Sequence, residues 1–497
     1  MRDSRLAFAA AGLLAVVACD TPEPTTSGGV DAPVAEAKFN QDGFRTTRPA
    51  QAQLVVSGEL VPLATAGDVM PGSGEQLDGI PDGIGSFGDG RYMSSYLNHE
   101  IAGGAKVSKF EIDSRTGKII DHWYPIDGSE GYSRLCSASW QDADDGFPGG
   151  AFFTGEEDGA GLQLAIDRQG RVTQLPHIGY YAHEQQISVP GFTNQIVVVN
   201  FDDSGTSGGD LTSDRSNSEF YMYAASNANG VLRGNGQLYV FTSDEVDNVG
   251  QMEVGDEITG YWIPIPEEIA LVQEDDPVTG NTPIQDYVWD QGAMGFTRLE
   301  DGFYDKVSAA QRGNPAVYIF DTGDATLGNP TDGYWDKWGS IYRMEWQDPT
   351  DPSGATTLTL LGRSDGPGTD GSPTWASPDN GDMNAQGIIA LQEDPAAGPW
   401  TRDEVKVWAF QRAPDGSLVD PVGTAIISTV GSGCNGGGIN GACWETSGIE
   451  DVSRWYGDNA WIFDVQSKGP VPGGICPDCA SDGQLLLVKI GGEFGFN

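Results

Sequence analysis

The sequence predicts an all-β protein, a β-propeller of six blades with long loops. Short runs rich in β-branched and aromatic residues recur from about residue 50 to the C-terminus. Clusters of Gly, Asn, Asp and Pro separate these runs, and the chain has 70 glycines. Convincing amphipathic helices are scarce, so the strands follow one another directly. This pattern favours a sandwich, a barrel or a propeller, and 497 residues without an interior linker favour the propeller.

The predicted strands, in chain order, are AQLVVSGEL, YMSSYLN, GAFFTGEE, QIVVVNF, FYMYAAS, GQLYVF, AVYIFDT, SIYRMEW, ATTLTLLG, GIIALQE, EVKVWAF, NAWIFDV and QLLLVKI. EEIALVQ and DKVSAAQ are at most short turns of helix. At four strands a blade, with long loops, about six or seven blades use up the chain. No strict internal repeat is visible, so the propeller rests on the density of strands.

The N-terminus has the features of an export signal. Arg2 and Arg5 precede the apolar run LAFAAAGLLAVVA, which is too short to span a bilayer. Val16-Val17-Ala18-Cys19 resembles a bacterial lipobox, in which the chain is cut before the cysteine and the thiol carries a lipid. The alternative is an ordinary signal peptide with a chance cysteine.

These features predict three parts of the chain: a lipoprotein-type signal peptide at 1–18, a flexible Pro/Thr/Ser/Gly-rich tether at 19–50 and one propeller domain at 51–497. We expect an exported protein, periplasmic or at the cell surface. It contacts the membrane only through a lipid on Cys19, and it is a monomer.

The charge of the chain is strongly negative. Acidic residues outnumber basic ones 72 to 27, a formal net charge of -45, which excludes nucleic-acid binding because a phosphate backbone is repelled. Two compatible causes could explain the excess of acidic residues. The carboxylates solvate the surface in salty surroundings, or some are clustered to hold hard cations such as calcium.

The cysteines predict disulfides and one spare thiol. Cys434 and Cys443 flank a glycine-rich loop, and Cys476 and Cys479 form a disulfide or half of a zinc site, of which we favour the disulfide because no second CxxC exists. Cys136 is then left over. It is either a small buried hydrophobe or a thiolate protected from oxidation by a bound metal.

Acidic residues recur at the ends of the predicted strands. In a propeller, equivalent strand ends converge on the central axis, where buried carboxylates need multivalent cations. Oxygen ligands suit calcium, and an added thiolate shifts the preference toward a transition metal. Each acid taken alone reads as a solvated turn residue. The strand-end acids are Glu100, Glu156-Glu157, Glu184, Asp202-Asp203, Glu300-Asp301, Glu393-Asp394 and Glu450-Asp451.

Several segments together resemble one protein family. They are, in order, GIPDGIGSF, LNHE, CSASW, GAFFTGEEDGAG, AHEQQISVPG, VVVNFDDSG, GNGQLYVF, GFTRLEDGFYD, GSIYRMEW, SPDN, GIIALQEDP and WETSGIEDVSRWYGDNAWIFDVQ. Their types and order are similar to those of the PhoX-type alkaline phosphatases, exported bacterial propellers. The resemblance extends from about Asp68 to Gln466 and points to a less characterised branch of that family.

The resemblance implies a six-bladed propeller with an axial site that holds a ferric iron pair and several calcium ions. It implies that small phosphate esters are the substrates and that Arg298 and Arg134 are the candidates to hold their phosphate. Arg298-Leu299-Glu300-Asp301 lacks the proline usual in the family motif but keeps the arginine and both carboxylates. The implied metal ligands are Cys136, Glu156, Glu157, Glu300, Asp301, Glu393, Asp394, Glu100 and Glu450.

The first hypothesis for the function is therefore an exported phosphomonoesterase. A calcium-dependent propeller hydrolase of another class, such as a lactonase or a phytase-like esterase, is the second. A non-catalytic surface propeller with structural calcium that binds a partner or a polysaccharide is the third. No phosphate-binding P-loop or HExxH motif occurs in the sequence, so the corresponding hydrolase classes lack support.

Overall fold

Antiparallel strands make up most of the regular secondary structure. A computed structural model describes residues 43–204, 218–275, 281–324, 336–369, 371–395, 400, 402, 404–430, 444–467 and 482–496. The strands of the first half are β1 (Ala52–Leu54), β2 (Gly58–Thr65), β3 (Pro81–Gly88), β4 (Tyr92–His99), β5 (Lys106–Asp113), β6 (Lys118–Ile126), β7 (Leu135–Gln141), β8 (Ala151–Glu156), β9 (Gln163–Ile166), β10 (Val172–Gln174), β11 (His183–Ser188), β12 (Ile196–Asp202), β13 (Phe220–Ala225) and β14 (Gly236–Ser243). Those of the second half are β15 (Glu257–Ile265), β16 (Leu299–Tyr304), β17 (Ala316–Asp321), β18 (Ser340–Trp346), β19 (Thr356–Arg363), β20 (Gly368–Thr369), β21 (Ser372–Pro373), β22 (Pro378–Met383), β23 (Ile388–Glu393), β24 (Lys406–Gln411), β25 (Thr424–Thr429), β26 (Trp444–Asp451), β27 (Ala460–Ser467) and β28 (Asp482–Ile490).

The helices are short, as the sequence predicts. They are α1 (Ala228–Arg233), α2 (Glu267–Ala270), α3 (Pro283–Asp290), α4 (Lys306–Ala310) and α5 (Ser453–Tyr456), with 3-10 turns at Pro176–Ile178 and Val249–Gln251. The two predicted helical turns become α2 and α4. Every predicted strand run lies in a strand, although AQLVVSGEL divides into β1 and β2.

The strands form a propeller-like arrangement of sheets. Four sheets of four or five strands are β3–β6, β7–β10, β22–β25 with β1, and β26–β28 with β2. The strands β11–β19 form a single nine-stranded sheet, in the order β11-β12-β13-β14-β15-β19-β18-β17-β16. Its end strands β11 and β16 contact each other, so the sheet curls into a nearly closed barrel. The prediction of six separate blades is therefore wrong. The outer strands β15 and β19 pair and merge two strand groups into one sheet.

Six strands surround the central axis. Each of β3, β7, β11, β16, β22 and β26 contacts the next, and β26 contacts β3 to close the ring. These inner strands pack very closely. A Cβ on Gly83 would lie 2.2 Å from the backbone nitrogen of Ala138 on β7, so only glycine fits there.

Every inner strand carries an irregularity near its beginning. In β3, β7, β11, β16 and β22, the pairing with the following strand shifts after the first residue, and in β26 it shifts after Thr446. A bulge of this kind bends the strand and re-aims consecutive side chains. The six inner strands thus share a structural repeat, the bulge near the beginning, although the sequence shows no repeat.

The first strands of the described chain complete sheets formed by the last ones. β2 pairs with β28 along its length, and β1 pairs with β25. Such pairing closes a circular fold and removes exposed edges. Large apolar side chains fill the spaces between strands, for example Trp262 and Trp346, whose rings stack with centroids 5.6 Å apart.

Across the described ranges, no helix combines the length and apolarity needed to cross a membrane. The predicted signal peptide, Cys19 and most of the predicted tether lie outside the described residues. Cys434, Cys443, Cys476 and Cys479 do as well, so both disulfides remain predictions.

Candidate metal centre

The inner strands enclose a cavity at the end of the axis where they begin. We call it the acidic cavity. It is lined by Asp82, Glu100, Arg134, Cys136, Ser137, Glu157, Glu184, Arg298, Glu300, Asp379, Asp394 and Glu445.

One set of its acidic side chains occupies the same place on each inner strand. The second residue of every inner strand is an aspartate, a glutamate or the cysteine, at the start of the bulge or just before it. These residues are Asp82 on β3, Cys136 on β7, Glu184 on β11, Glu300 on β16, Asp379 on β22 and Glu445 on β26. Six different strands therefore each bring one acidic group to the axis.

A second set follows the neighbouring strands. Glu100 comes directly after β4, Glu157 after β8 and Asp394 after β23. Their backbone N–H groups donate to carbonyls just before the paired inner strand, at 2.9 Å for Glu100 to Ile80, 2.8 Å for Glu157 to Arg134 and 3.1 Å for Asp394 to Ser377. These hydrogen bonds hold the two sets of acids side by side.

Six of these side chains, together with Asp203, form three overlapping groups of possible metal ligands. The groups are Asp82 with Glu100 and Cys136, Cys136 with Glu157 and Glu184, and Glu184 with Asp203 and Glu300. Within each group the ligand atoms lie within 4.8 Å of one another, the span of atoms around one cation. Cys136 and Glu184 each belong to two groups, so three cations placed here would be neighbours.

The charge of the acidic cavity also fits metal ions. Two arginines offset only two of its eight carboxylates, and most of these groups are buried. Burial raises the pKa of the Cys136 thiol well above its usual range, and Glu100 and Glu157 add to the shift. Burial likewise raises the pKa of Glu157 to about 8, although Arg134 opposes it. Without cations these groups hold protons, and a multivalent cation would replace them.

The two arginines occupy equivalent places, each immediately before an inner strand. Arg134 donates to Glu100 Oε1 from Nε at 2.9 Å and pairs with Glu157. Arg298 lies 2.6 Å from Asp203 Oδ2 and 2.8 Å from Glu300 Oε1. Burial lowers the pKa of Arg298, but the two carboxylates outweigh it and keep the guanidinium charged.

The structure brings together part of the predicted site. The predicted residues that line the acidic cavity are Glu100, Arg134, Cys136, Glu157, Arg298, Glu300 and Asp394.

Three predicted ligands are the chain neighbours of cavity residues and have other partners. Glu156 accepts from the backbone N–H groups of Ser133 at 2.8 Å and Leu162 at 3.2 Å. Asp301 accepts from the N–H of Gly381 at 2.8 Å, and Glu393 pairs with Arg402 in the core. Their role as metal ligands remains a prediction.

The fourth, Glu450, lies at the other end of the axis. It lines a second cavity, which we call the opposite cavity, together with Ile84, Ala138, Ser139, Trp140, Gln141, Gln185, Ile187, Gly302, Phe303, Tyr304, Lys306, Gly381, Asp382 and Ile449. Lys306 Nζ lies 2.7 Å from Asp382 Oδ1 there, so its charge is balanced locally. Burial raises the pKa of Glu450 to about 7.

Sequence reasoning did not assign Asp82, Asp379 or Glu445 to the site. All three lie in segments that carry the family resemblance, PDGIG, SPDN and WETSG. The missing signal is the acid at the second place of each strand, which becomes visible only once the strand boundaries are known. Glu184 and Asp203 were among the strand-end acids but were not assigned to the site.

Comparisons with known proteins give one informative likeness. No protein-family model and no curated protein matches the chain. Among solved structures, PhoX of Pseudomonas fluorescens in complex with vanadate, a transition-state analogue, has a TM-score of 0.62 at 13% sequence identity, and the match covers 92% of this chain and 99% of that chain. A protein of unknown function from Dyadobacter fermentans has a TM-score of 0.43 at 8% identity, with 89% and 100% covered. The first likeness shows that the chain has a PhoX-like fold.

Proposed function

We propose that the protein is an exported, metal-dependent phosphomonoesterase whose site is the acidic cavity. The observation that carries the proposal is the set of three adjoining ligand groups beside two arginines in one axial cavity. The PhoX-like fold adds support, since that protein's structure contains vanadate as a transition-state analogue.

The ligand types suggest which metals the cavity takes. The two groups that share Cys136 combine a thiol with carboxylates and suit a transition metal such as iron. The third group, Glu184 with Asp203 and Glu300, offers only oxygen and suits calcium. When bound, such ions supply positive charge that activates an oxygen nucleophile and stabilises a phosphoryl group in the transition state.

Metal binding should release protons from Cys136 and Glu157. The thiol donates to Glu157 Oε2 at 2.7 Å. A metal ligand must be a thiolate, so this proton has to leave. Glu157 belongs to the same ligand group, and burial raises its pKa to about 8, so metal loading of this group would release a proton from each of the two side chains.

Arg134 and Arg298 are placed to bind the phosphate ester. Their guanidinium groups point at carboxylates of the three ligand groups. Once cations occupy those carboxylates, the N–H groups become available to the phosphoryl oxygens, for which the planar guanidinium is well suited. They orient the ester and offset the charge that develops on its equatorial oxygens.

The test is hydrolysis of p-nitrophenyl phosphate together with elemental analysis. We expect iron and calcium in a defined ratio in the purified protein, loss of turnover on chelation, and recovery when both metals are returned. Full turnover by metal-free protein contradicts the proposal, as does no turnover by protein with both metals bound. Turnover of lactones without that of phosphate esters would favour the lactonase alternative.

Export and anchoring belong to the same proposal. We expect the mature chain to begin at a lipid-modified Cys19 and to fractionate with membranes, and Cys19→Ser to release it. Mass spectrometry of the N-terminal peptide checks the modification. Size-exclusion chromatography with light scattering checks that the released protein is a monomer.

A further inference from the structure

The bulge of β7 leaves two residues without regular strand pairing. The register of β7 with β8 shifts between Leu135 and Ala138, so Cys136 and Ser137 lie in the interruption. Both residues are buried. Buried peptide groups that lose their partners in the sheet need hydrogen bonds from elsewhere, and side chains of other strands supply them here.

The peptide group that joins Cys136 to Ser137 is held at its oxygen and at its nitrogen. Asn98 Nδ2, near the end of β4, donates to the carbonyl oxygen of Cys136. The N–H of Ser137 donates to Glu184 Oε2 at 3.2 Å. Cys136 and Glu184 are the two side chains that each belong to two of the three ligand groups. The orientation of this one peptide group therefore affects both of them.

Ser137 also has a partner on the far side of the axis. Asn380 Nδ2 donates to Ser137 Oγ at 2.8 Å, and Asn380 Oδ1 accepts from Ser447 Oγ at 3.2 Å. Asn380 lies on β22, which stands opposite β7 in the ring of six strands, and Ser447 lies on β26. All three side chains are buried. Together they form a line of hydrogen bonds across the axis, which we call the cross-axis bridge.

The cross-axis bridge lies between the two cavities. Ser137 and Asp379 line the acidic cavity, whereas Ala138 and Gly381 line the opposite cavity. Asn380 comes between Asp379 and Gly381 in β22, so its side chain reaches Ser137 where one cavity gives way to the other. A fully satisfied hydrogen-bond network in such a buried place holds its members in one geometry.

We propose that Asn380 is a positioning residue of the metal centre that acts through Ser137. The inference rests on the proposed function, because the ligands concerned are Cys136 and Glu184. Asn98 fixes the oxygen of the peptide group in the bulge, but a group held at one end can still tilt. The hydrogen bond from Asn380 fixes Ser137 as well. It thereby sets the direction of the Ser137 N–H toward Glu184 and the position of the preceding thiol.

The experiment measures binding of cobalt(II) by wild type, Asn380→Ala, Ser137→Ala and the double variant. Each protein is stripped with chelator and titrated with Co²⁺ alone, because a cobalt–thiolate bond gives an absorption band that reports on its geometry. Tm is measured on the same samples. Asn384→Ala is the matched control. Asn384 directly follows β22 and is also buried, but it bonds to Asn459 and to N–H groups of its own turn.

We expect Asn380→Ala to weaken cobalt affinity by about tenfold and to shift the absorption band, since the loss of an outer partner costs about 10–100-fold in metal affinity. Ser137→Ala should have the same effect. The double variant should be no worse than either single one, because all three lose the same contact. Asn384→Ala should lower Tm and keep the wild-type affinity and band, which is also the result expected for Asn380→Ala if its role is merely structural.

Wild-type cobalt affinity and band in Asn380→Ala would overturn the proposal. It would also be overturned if the effects of the two single substitutions multiplied in the double variant, since Asn380 would then not act through Ser137. If Asn380→Ala does not fold, Ser137→Ala decides the matter, because it removes only one hydroxyl group. Wild-type protein that binds no cobalt would instead contradict the metal centre of the proposed function, so the two failures are distinguishable without any measurement of turnover.

Discussion

The two ends of the propeller axis are built from the same six strands but have opposite chemistry. Along β7, Cys136 lines the acidic cavity and Ala138, two residues later, lines the opposite cavity. The first cavity gathers carboxylates that two arginines do not balance. The second pairs Lys306 with Asp382 among isoleucine and aromatic side chains. The bulged beginnings of the inner strands, rather than the strands as a whole, therefore carry the chemistry.

Removing the thiol should have the largest effect and should be confined to the acidic cavity. Cys136 belongs to two of the three ligand groups, so Cys136→Ser should remove bound iron and lower kcat/KM by more than about a hundredfold, since even outer-shell changes cost about 10–100-fold. Iron analysis and p-nitrophenyl phosphate kinetics measure both. Ala138→Ser, two residues further along the same strand, is the matched control and should keep its iron. Equal iron content in both variants would show that the thiol of Cys136 does not bind iron.

Breaking the ion pair of the opposite cavity should affect stability and not metal content. Lys306→Met leaves Asp382, which also accepts from the N–H of Asp451 at 2.9 Å, without its ammonium partner. The expected cost is about 3 kcal/mol in the free energy of unfolding. Urea unfolding measures it, and the double variant with Asp382→Asn should recover much of the loss. A fall in iron or calcium per chain would show that the two ends are coupled.

Substitutions of two consecutive glutamates should separate an effect on metal binding from an effect on stability. Glu157→Gln alters a residue of the ligand groups and should weaken metal affinity by about 10–100-fold. Glu156→Gln weakens two hydrogen bonds to backbone N–H groups and should cost about 1 kcal/mol of stability with metal affinity unchanged. Calorimetric metal titration and urea unfolding of both variants decide the matter. The interpretation is wrong if the two variants behave alike.

The smallest expected effect is a change in pH dependence at the opposite cavity. Burial raises the folded-state pKa of Glu450 from 4.5 to about 7. Its contribution to stability is therefore complete below about pH 4.5 and is lost as pH rises through 7. Glu450→Gln should remove this loss and gain on the order of 1 kcal/mol over wild type between pH 5 and pH 8. Unfolding curves at both pH values test this, with substitution of the exposed Glu257 by Gln as the unchanged control.

Consecutive acids explain why part of the site could be predicted from the sequence and part could not. Side chains alternate between the two faces of a strand. Of two neighbouring acidic residues, one therefore faces the central axis and the other faces the interior of the protein around it. Glu157 and Asp394 face the acidic cavity, while Glu156 and Glu393 bind backbone groups or an arginine. The pair is visible in the sequence. The choice between its members depends on where the strand ends and the bulge begins.

The blade count failed for a related reason. Strand positions follow from local residue type, and all the predicted runs are strands. The number of separate sheets depends on which outer strands pair, and β15 with β19 is a pairing between residues about a hundred positions apart. The sequence of neither segment by itself indicates which strand it pairs with.

The all-β class and the supply of strand-end carboxylates could be predicted from the sequence, because both follow from residue type and local pattern. Which carboxylates meet depends on the tertiary structure. It placed Asp82, Asp379 and Glu445 beside the predicted residues and moved Glu450 to the far end of the axis. Closing the ring brings residues some 350 positions apart within reach of one another, and the charge they accumulate there exists only once the ring has closed.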